Sequence, residues 1–160
     1  MTLDGYVADS AITIPIGPVS PEALELIEAC TTSLEAAIAQ CRAGNRLGDV
    51  SHAVQTTVES RGFGVVRSLV GHGVGRSMHE DPQIPNYGPP GHGPKLAPGM
   101  VLAIEPMITV GDWNVRAGDD GWAVFTADGS LAAHCEHTVA VTNNGPRVLT
   151  RRPGRPEEER

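Results

Sequence analysis

Residues 71–88 read GHGVGRSMHEDPQIPNYG, with two histidines seven residues apart and glycines on both sides of the first. His72 has no bulky neighbour, so backbone can approach it closely and its ring has room to reach a ligand. His79 is followed at once by Glu80, Asp81 and a proline-broken loop. A bend between the two imidazoles would turn both towards one pocket, the second donating to a carbonyl oxygen rather than sharing an ion with the first. By itself a glycine-ringed histidine is more often structural than a metal ligand, so the rest of the chain has to decide.

Downstream, Glu105 in LAIEPMI and Glu136 in HCEHTVAVT each interrupt a strongly apolar, β-branched run. An ionised carboxylate in such a strand is costly unless a cation or hydrogen-bond donors meet it. Asp9, in YVADSAITIP, adds a third acid; alone it is a weaker signal, because an acid near a strand–turn junction is often just exposed. One imidazole with several buried carboxylates suits Mn, Fe(II), Co or Zn, and the carboxylates can bridge two such ions. Side-chain alternation puts His134 on the face of Glu136, and Cys135 and His137 on the opposite one. His134 is therefore expected near the site, Cys135 in the core and His137 in a structural role. His52 and His92 fall in a helix and a Gly/Pro loop and are assigned nothing.

The 160 residues suffice for one domain with a single core. A net charge of −7, from 19 acidic against 12 basic side chains, argues against nucleic acid as a partner. Three cysteines without paired spacing fit a reducing cytosol. No apolar run approaches the ~18 residues of a membrane span, and the N-terminal MTLDGYVADS has neither a basic nor an apolar leader segment. The expectation is a cytoplasmic protein with no membrane partner.

Residues 3–16 alternate well enough for two strands or one bent strand. Ser20, Pro21 and Glu22 then start a helix with a hydroxyl cap, a proline at the first helical position and an acid in the first turn. Ile27, Cys30, Leu34, Ile38 and Cys41 recur at helical spacing up to Gly44, and Leu47, Val50, Val54 and Val58 repeat the pattern up to Arg61-Gly62. The runs 63–70, 100–110, 121–127, 132–142 and 147–150 read as strands. Strands following helices in blocks predict an α+β fold, a mostly antiparallel sheet covered by two amphipathic helices, over residues 1–150. Residues 151–160, RRPGRPEEER, carry no aliphatic side chain and are expected to be a disordered tail.

In order along the chain, DGYVADSAITIPIG, GHGVGRSMHEDPQIPNYG, LAPGMVLAIEPMI and DGWAVFTADGSLAAHCEHTVAVT resemble the successive motifs of the type I methionine aminopeptidases, metallopeptidases of the pita-bread fold. The resemblance runs from Leu3 to about Thr150. It implies hydrolytic release of N-terminal methionine from peptides and nascent proteins by a monomeric enzyme. In that family two divalent ions (Co, Mn, Fe or Zn) are held by two Asp, one His and two Glu. Asp9 looks like the second, bridging Asp, His72 the imidazole ligand, Glu105 the first Glu and Glu136 the second, bridging Glu. The same resemblance makes Glu105 the base that takes the proton of the metal-activated water. It makes His79 the catalytic imidazole that contacts substrate and steadies the tetrahedral intermediate, and Trp122 and Met78 the lining of the methionine pocket.

The family's first metal-binding Asp stands about eleven residues before the second, a spacing that runs off this sequence ahead of Met1, and Asp4 is too close to Asp9 to replace it. The expectation is thus a domain incomplete at its N-terminal side, with four ligands for one ion and only the two bridging carboxylates for a second. An exposed strand edge would invite association with another chain. A non-catalytic pita-bread module that binds a peptide or a protein partner is the alternative reading. A relative of the Xaa–Pro aminopeptidases shares the His…Glu…Glu skeleton, but PQIPNYG after MHE and the DGW loop point to the methionine enzymes.

Overall fold

The structure is a computed structural model of the chain and describes residues 1–151. The expected tail, beyond Arg151, lies outside the described residues. The N-terminal segment forms three two-residue strands, β1 (Thr2–Leu3), β2 (Tyr6–Val7) and β3 (Ser10–Ala11). Asp4 and Gly5, at φ 50° and 81°, make the tight turn that folds β1 onto β2.

Helix α1 (Pro21–Gln40) starts where the sequence places it: Ser20 Oγ accepts the Ala23 N–H at 3.2 Å. Its buried face carries Leu26, Ala29, Cys30, Leu34 and Ala37. It closes at Cys41, whose N–H bonds Ile38 O at 2.9 Å, rather than running to Gly44. Gly44 instead serves the turn between helices, at φ 97° with its N–H on Leu96 O at 3.0 Å. Helix α2 (Leu47–Glu59) buries Leu47, Val50, Val54 and Val58, the expected face, and packs along α1. Asp49 fixes its start by accepting the Arg46 N–H at 2.7 Å, and its other oxygen accepts the Gly91 N–H at 2.7 Å.

The second half supplies β4 (Gly64–Val65), β5 (Gly71–Gly73), β6 (Glu80–Ile84), β7 (Val101–Ile104), β8 (Met107–Thr109), β9 (Val115–Ala117), β10 (Val124–Thr126), β11 (Ala132–His134), β12 (Glu136–Thr142) and β13 (Gly145–Val148). The main sheet runs β13-β12-β7-β5-β6, with β3 added against the first residues of β12. A second sheet runs β11-β8-β4, and β9 with β10 makes a separate hairpin. Every described pairing is antiparallel. Leu26, Val50, Val54 and Val58 from the helices meet Leu102, Ile104, Ile108, Val139 and Val141 from the sheets in the core.

Two runs read as single strands are broken. Residues 100–110 divide into β7 and β8 at Glu105-Pro106, and 132–142 into β11 and β12 at Cys135. The breaks lie side by side, with Cys135 N–H on Pro106 O at 3.3 Å. Both chains cross there from the main sheet to the second one, and Pro106, which has no N–H, cannot continue a ladder. The run 63–70 keeps only β4 as strand; its Arg67–Leu69 portion is exposed. Among the described residues no helix is long and apolar enough to cross a membrane.

Candidate metal centre and active site

The sheet crossing is what positions the acids. Glu136 is the first residue of β12 and Glu105 the residue after β7, so both carboxylates emerge at the corner where their strands change sheets. Glu136 is 4 % exposed. Asp9 reaches the same corner because β3 pairs on β12 in the register Glu136↔Ala11 and His137↔Ser10.

His72 is the middle residue of β5, buried between β6 and β7. Its Nδ1 lies 2.8 Å from Gly73 O. A carbonyl can only accept, so Nδ1 carries the proton and Nε2 presents a lone pair. One donor atom each from Asp9, His72 and Glu136 all lie within 4.8 Å of one another. Glu105 stands beside this triple, Oε1 being 3.4 Å from His72 Nε2 and Oε2 3.6 Å from His134 Nε2.

The set is short of positive charge. Glu136 Oε1 and His134 Nε2 are buried without a hydrogen-bond partner, an arrangement folded proteins avoid unless something else occupies the space. Burial, followed by the Glu105 and Asp9 carboxylates, pushes Glu136 up to about 7 from 4.5, only partly opposed by His134. Two carboxylates and one imidazole nitrogen within one ion's reach, with a third carboxylate alongside, are donors for a divalent cation. The residues present therefore fit a metal.

A pH dependence follows. Below about 4.5 Glu136 is protonated in both the folded and unfolded states. Between there and about 7 the folded state keeps a proton that the unfolded chain has released. Its contribution to stability is therefore lost as pH rises through that window. Thermal melts in chelator are expected to show a lower Tm at pH 7.5 than at pH 5, with a smaller difference in Glu136→Gln. An unchanged difference in that variant would assign the effect to other groups.

The ring centroids of His79 and His72 are 4.4 Å apart at an interplanar angle of 65°, and the two histidines share a cavity of about 600 Å³ with Val70, Glu80, Asp81 and Gln83. The two histidines of the 71–88 stretch thus face one space. Met78 is 41 % exposed and Trp122, at the tip of the β9–β10 hairpin, is 89 % exposed. The structure brings Asp9, His72, His79, Glu105, His134 and Glu136 together. Cys135 lies in the core, its Sγ 2.9 Å from Cys30 Sγ.

Three side chains not anticipated from the sequence hold the site from behind. Thr138 Oγ1 accepts the Asp9 N–H at 2.9 Å and donates to Asp9 O at 2.7 Å. Thr13 Oγ1 does the same for His134, accepting from its N–H at 3.0 Å and donating to its O at 2.7 Å. Asn86, buried, donates to Glu105 O at 3.0 Å. The available signal was a hydroxyl two residues after Glu136, on the same strand face, within an apolar run.

Comparison with known proteins agrees with this geometry. The profile of metallopeptidase family M24 matches residues 1–143. The chain is 55 % identical to a methionine aminopeptidase of Clostridium acetobutylicum over 148 residues, 92 % of this chain and 59 % of that protein. It is 52 % identical to methionine aminopeptidase 1 of Bacillus subtilis over 149 residues, 93 % of this chain and 60 % of that one. Among solved structures, the methionine aminopeptidase of Thermotoga maritima superposes with a TM-score of 0.91 at 52 % identity, covering 93 % of this chain and 60 % of that one. That of Rickettsia prowazekii gives the same TM-score at 38 % identity with the same coverage. The chain spans about three fifths of the length of these relatives. Its mostly antiparallel sheets and two helices have the pita-bread arrangement of those structures. With the profile matched from residue 1 to residue 143, the chain belongs to metallopeptidase family M24.

Proposed function

We propose that residues 1–150 act as one cytoplasmic metallopeptidase domain that hydrolyses the first peptide bond of peptides and nascent proteins beginning with methionine. The observation that carries this reading is the buried, unpartnered Glu136 carboxylate within 4.8 Å of donor atoms on Asp9 and His72. The close relatives and solved structures named methionine aminopeptidase support the substrate class.

In this reading Asp9, His72, Glu136 and Glu105 would hold the metal, one or two ions of Co, Mn, Fe or Zn. A bound divalent cation supplies Lewis acidity and lowers the pKa of water. Glu105 takes the proton of the attacking water on Oε2 and returns it to the leaving amine. Asn86, donating to Glu105 O at 3.0 Å, fixes the backbone from which that carboxylate projects. His79 donates to the oxygen that gains charge at the scissile carbonyl. Met78, next to His79 in the chain, is the apolar surface assigned to the thioether, and the exposed Trp122 indole is a second surface that substrate would bury.

One observation favours the second reading, a non-catalytic module that binds a peptide or protein. Ile12, Ile14 and Ile16, following β3, are 50 %, 60 % and 84 % exposed, an apolar edge of the kind partners cover. Methionine release from Met-Ala-Ser with added Mn²⁺ or Co²⁺, measured together with metal binding, separates the readings. Release is expected, abolished by chelator and in Asp9→Asn. Metal binding without release would favour the binding module, and cleavage of a Xaa-Pro peptide in place of Met-Ala-Ser would overturn the substrate assignment.

A further inference from the structure

We infer that the Thr138 hydroxyl is a positioning residue for metal binding: by holding both backbone polar groups of Asp9, it sets where that carboxylate stands against Glu136 and His72. The inference rests on the proposed metal site and extends it to a residue that is not a ligand. Asp9 stands immediately before β3, whose pairing with β12 brings the segment to the corner, and its Oδ1 accepts the Ser10 N–H at 3.0 Å. Asp9 itself is only half-buried, and it is the Thr138 hydroxyl that meets its own N–H and C=O. Thr138, by contrast, is 1 % exposed in the interior of β12, two residues after Glu136. One rigid strand thus presents one carboxylate directly and fixes the backbone of a second.

The hydroxyl uses both of its capacities, accepting from Asp9 N at 2.9 Å and donating to Asp9 O at 2.7 Å. Two bonds to one residue fix translation and tilt together, where a single bond would leave a hinge. Valine has nearly the same shape and can make neither bond, so Thr138→Val frees Asp9 without emptying the core. The structure contains its own control. Thr142, at the far end of β12, also uses both capacities of its hydroxyl, accepting the Asn144 N–H at 3.1 Å and donating to Gly145 O at 2.7 Å. Thr142→Val therefore loosens the β12–β13 turn without touching a proposed ligand or its neighbours.

The test is calorimetric titration of the full chain with Mn²⁺, with Tm recorded for each variant. Thr138→Val is expected to raise the Kd for Mn²⁺ about 10- to 100-fold, the range seen when outer partners of metal ligands are lost. Thr138→Ser should restore affinity to within about threefold, and Thr142→Val should lower Tm while leaving the Kd within about threefold of wild type. Thr138→Val at wild-type affinity, or Thr142→Val as weak as Thr138→Val, overturns the inference and leaves the metal site standing. A wild-type chain that binds no Mn²⁺ removes the metal site and this inference together.

Discussion

Glu105→Gln is expected to lower kcat for methionine release by about 10³-fold at saturating metal, the scale of a lost general base. The metal should remain bound. The Glu105 carboxylate rests on the His72 and His134 rings rather than inside the Asp9–His72–Glu136 triple. Its amide replacement removes one of the four proposed donors but leaves the triple intact, so Mn²⁺ should weaken by only about tenfold. Glu136→Gln should show the opposite balance, because its buried oxygen has no partner except the proposed ion. Titrating both variants with Mn²⁺ and measuring turnover at saturation decides the matter. A Glu105→Gln chain that loses metal as completely as Glu136→Gln makes Glu105 a ligand first, and one that keeps wild-type kcat is not missing a base.

Much of this was legible in the residues, and the reasons can be named. Carboxylates inside β-branched runs carry their own signal, because hydrocarbon surroundings make an ionised acid costly. Glu105 and Glu136 are therefore legible in the residues themselves, and alternation puts His134 on the face of Glu136. The helix faces were readable because α1 and α2 keep strict apolar spacing over many residues. What stayed hidden was non-local. Residues 100–110 and 132–142 look continuous because every side chain in them suits a strand; the break comes from two crossings meeting at Pro106 and Cys135, a tertiary event. The clamps on Asp9 and His134 span 129 and 121 residues, and nothing near Thr13 or Thr138 in the chain announces the partner. Trp122 shows the converse: the sequence resemblance gave it a role at a pocket, but its position depends on a hairpin whose turn is held by Asp120 through the N–H groups of Trp122 and Ala123.

The glycines around His72 yield the largest expected effect on stability. Gly73→Ala is expected to cost about 3 kcal/mol or more, at the upper end of what overpacking costs in a closed core. For a chain of this size that lowers Tm by roughly 6–12 °C. A Cβ at Gly73 would run into the carbonyl oxygen of Asp81, and one at Gly71 into that of Ala103. These are backbone atoms of β6 and β7, the two strands that hold β5 from either side, so neither can rotate away. Room can come only from spreading the sheet at the residue that carries His72. Gly71→Ala should therefore behave like Gly73→Ala, and both should weaken Mn²⁺ binding at temperatures where the chain is still folded. Gly99→Ala is the comparison. Gly99 sits at φ 95° with nothing within 4 Å of the added carbon, so only backbone strain opposes the change, about 1–2 kcal/mol. Thermal melts that place Gly73→Ala within about 2 °C of wild type would mean that β5 is not gripped as tightly as the glycine pair requires. The close approach of strands around His72 would then not be what fixes its ring.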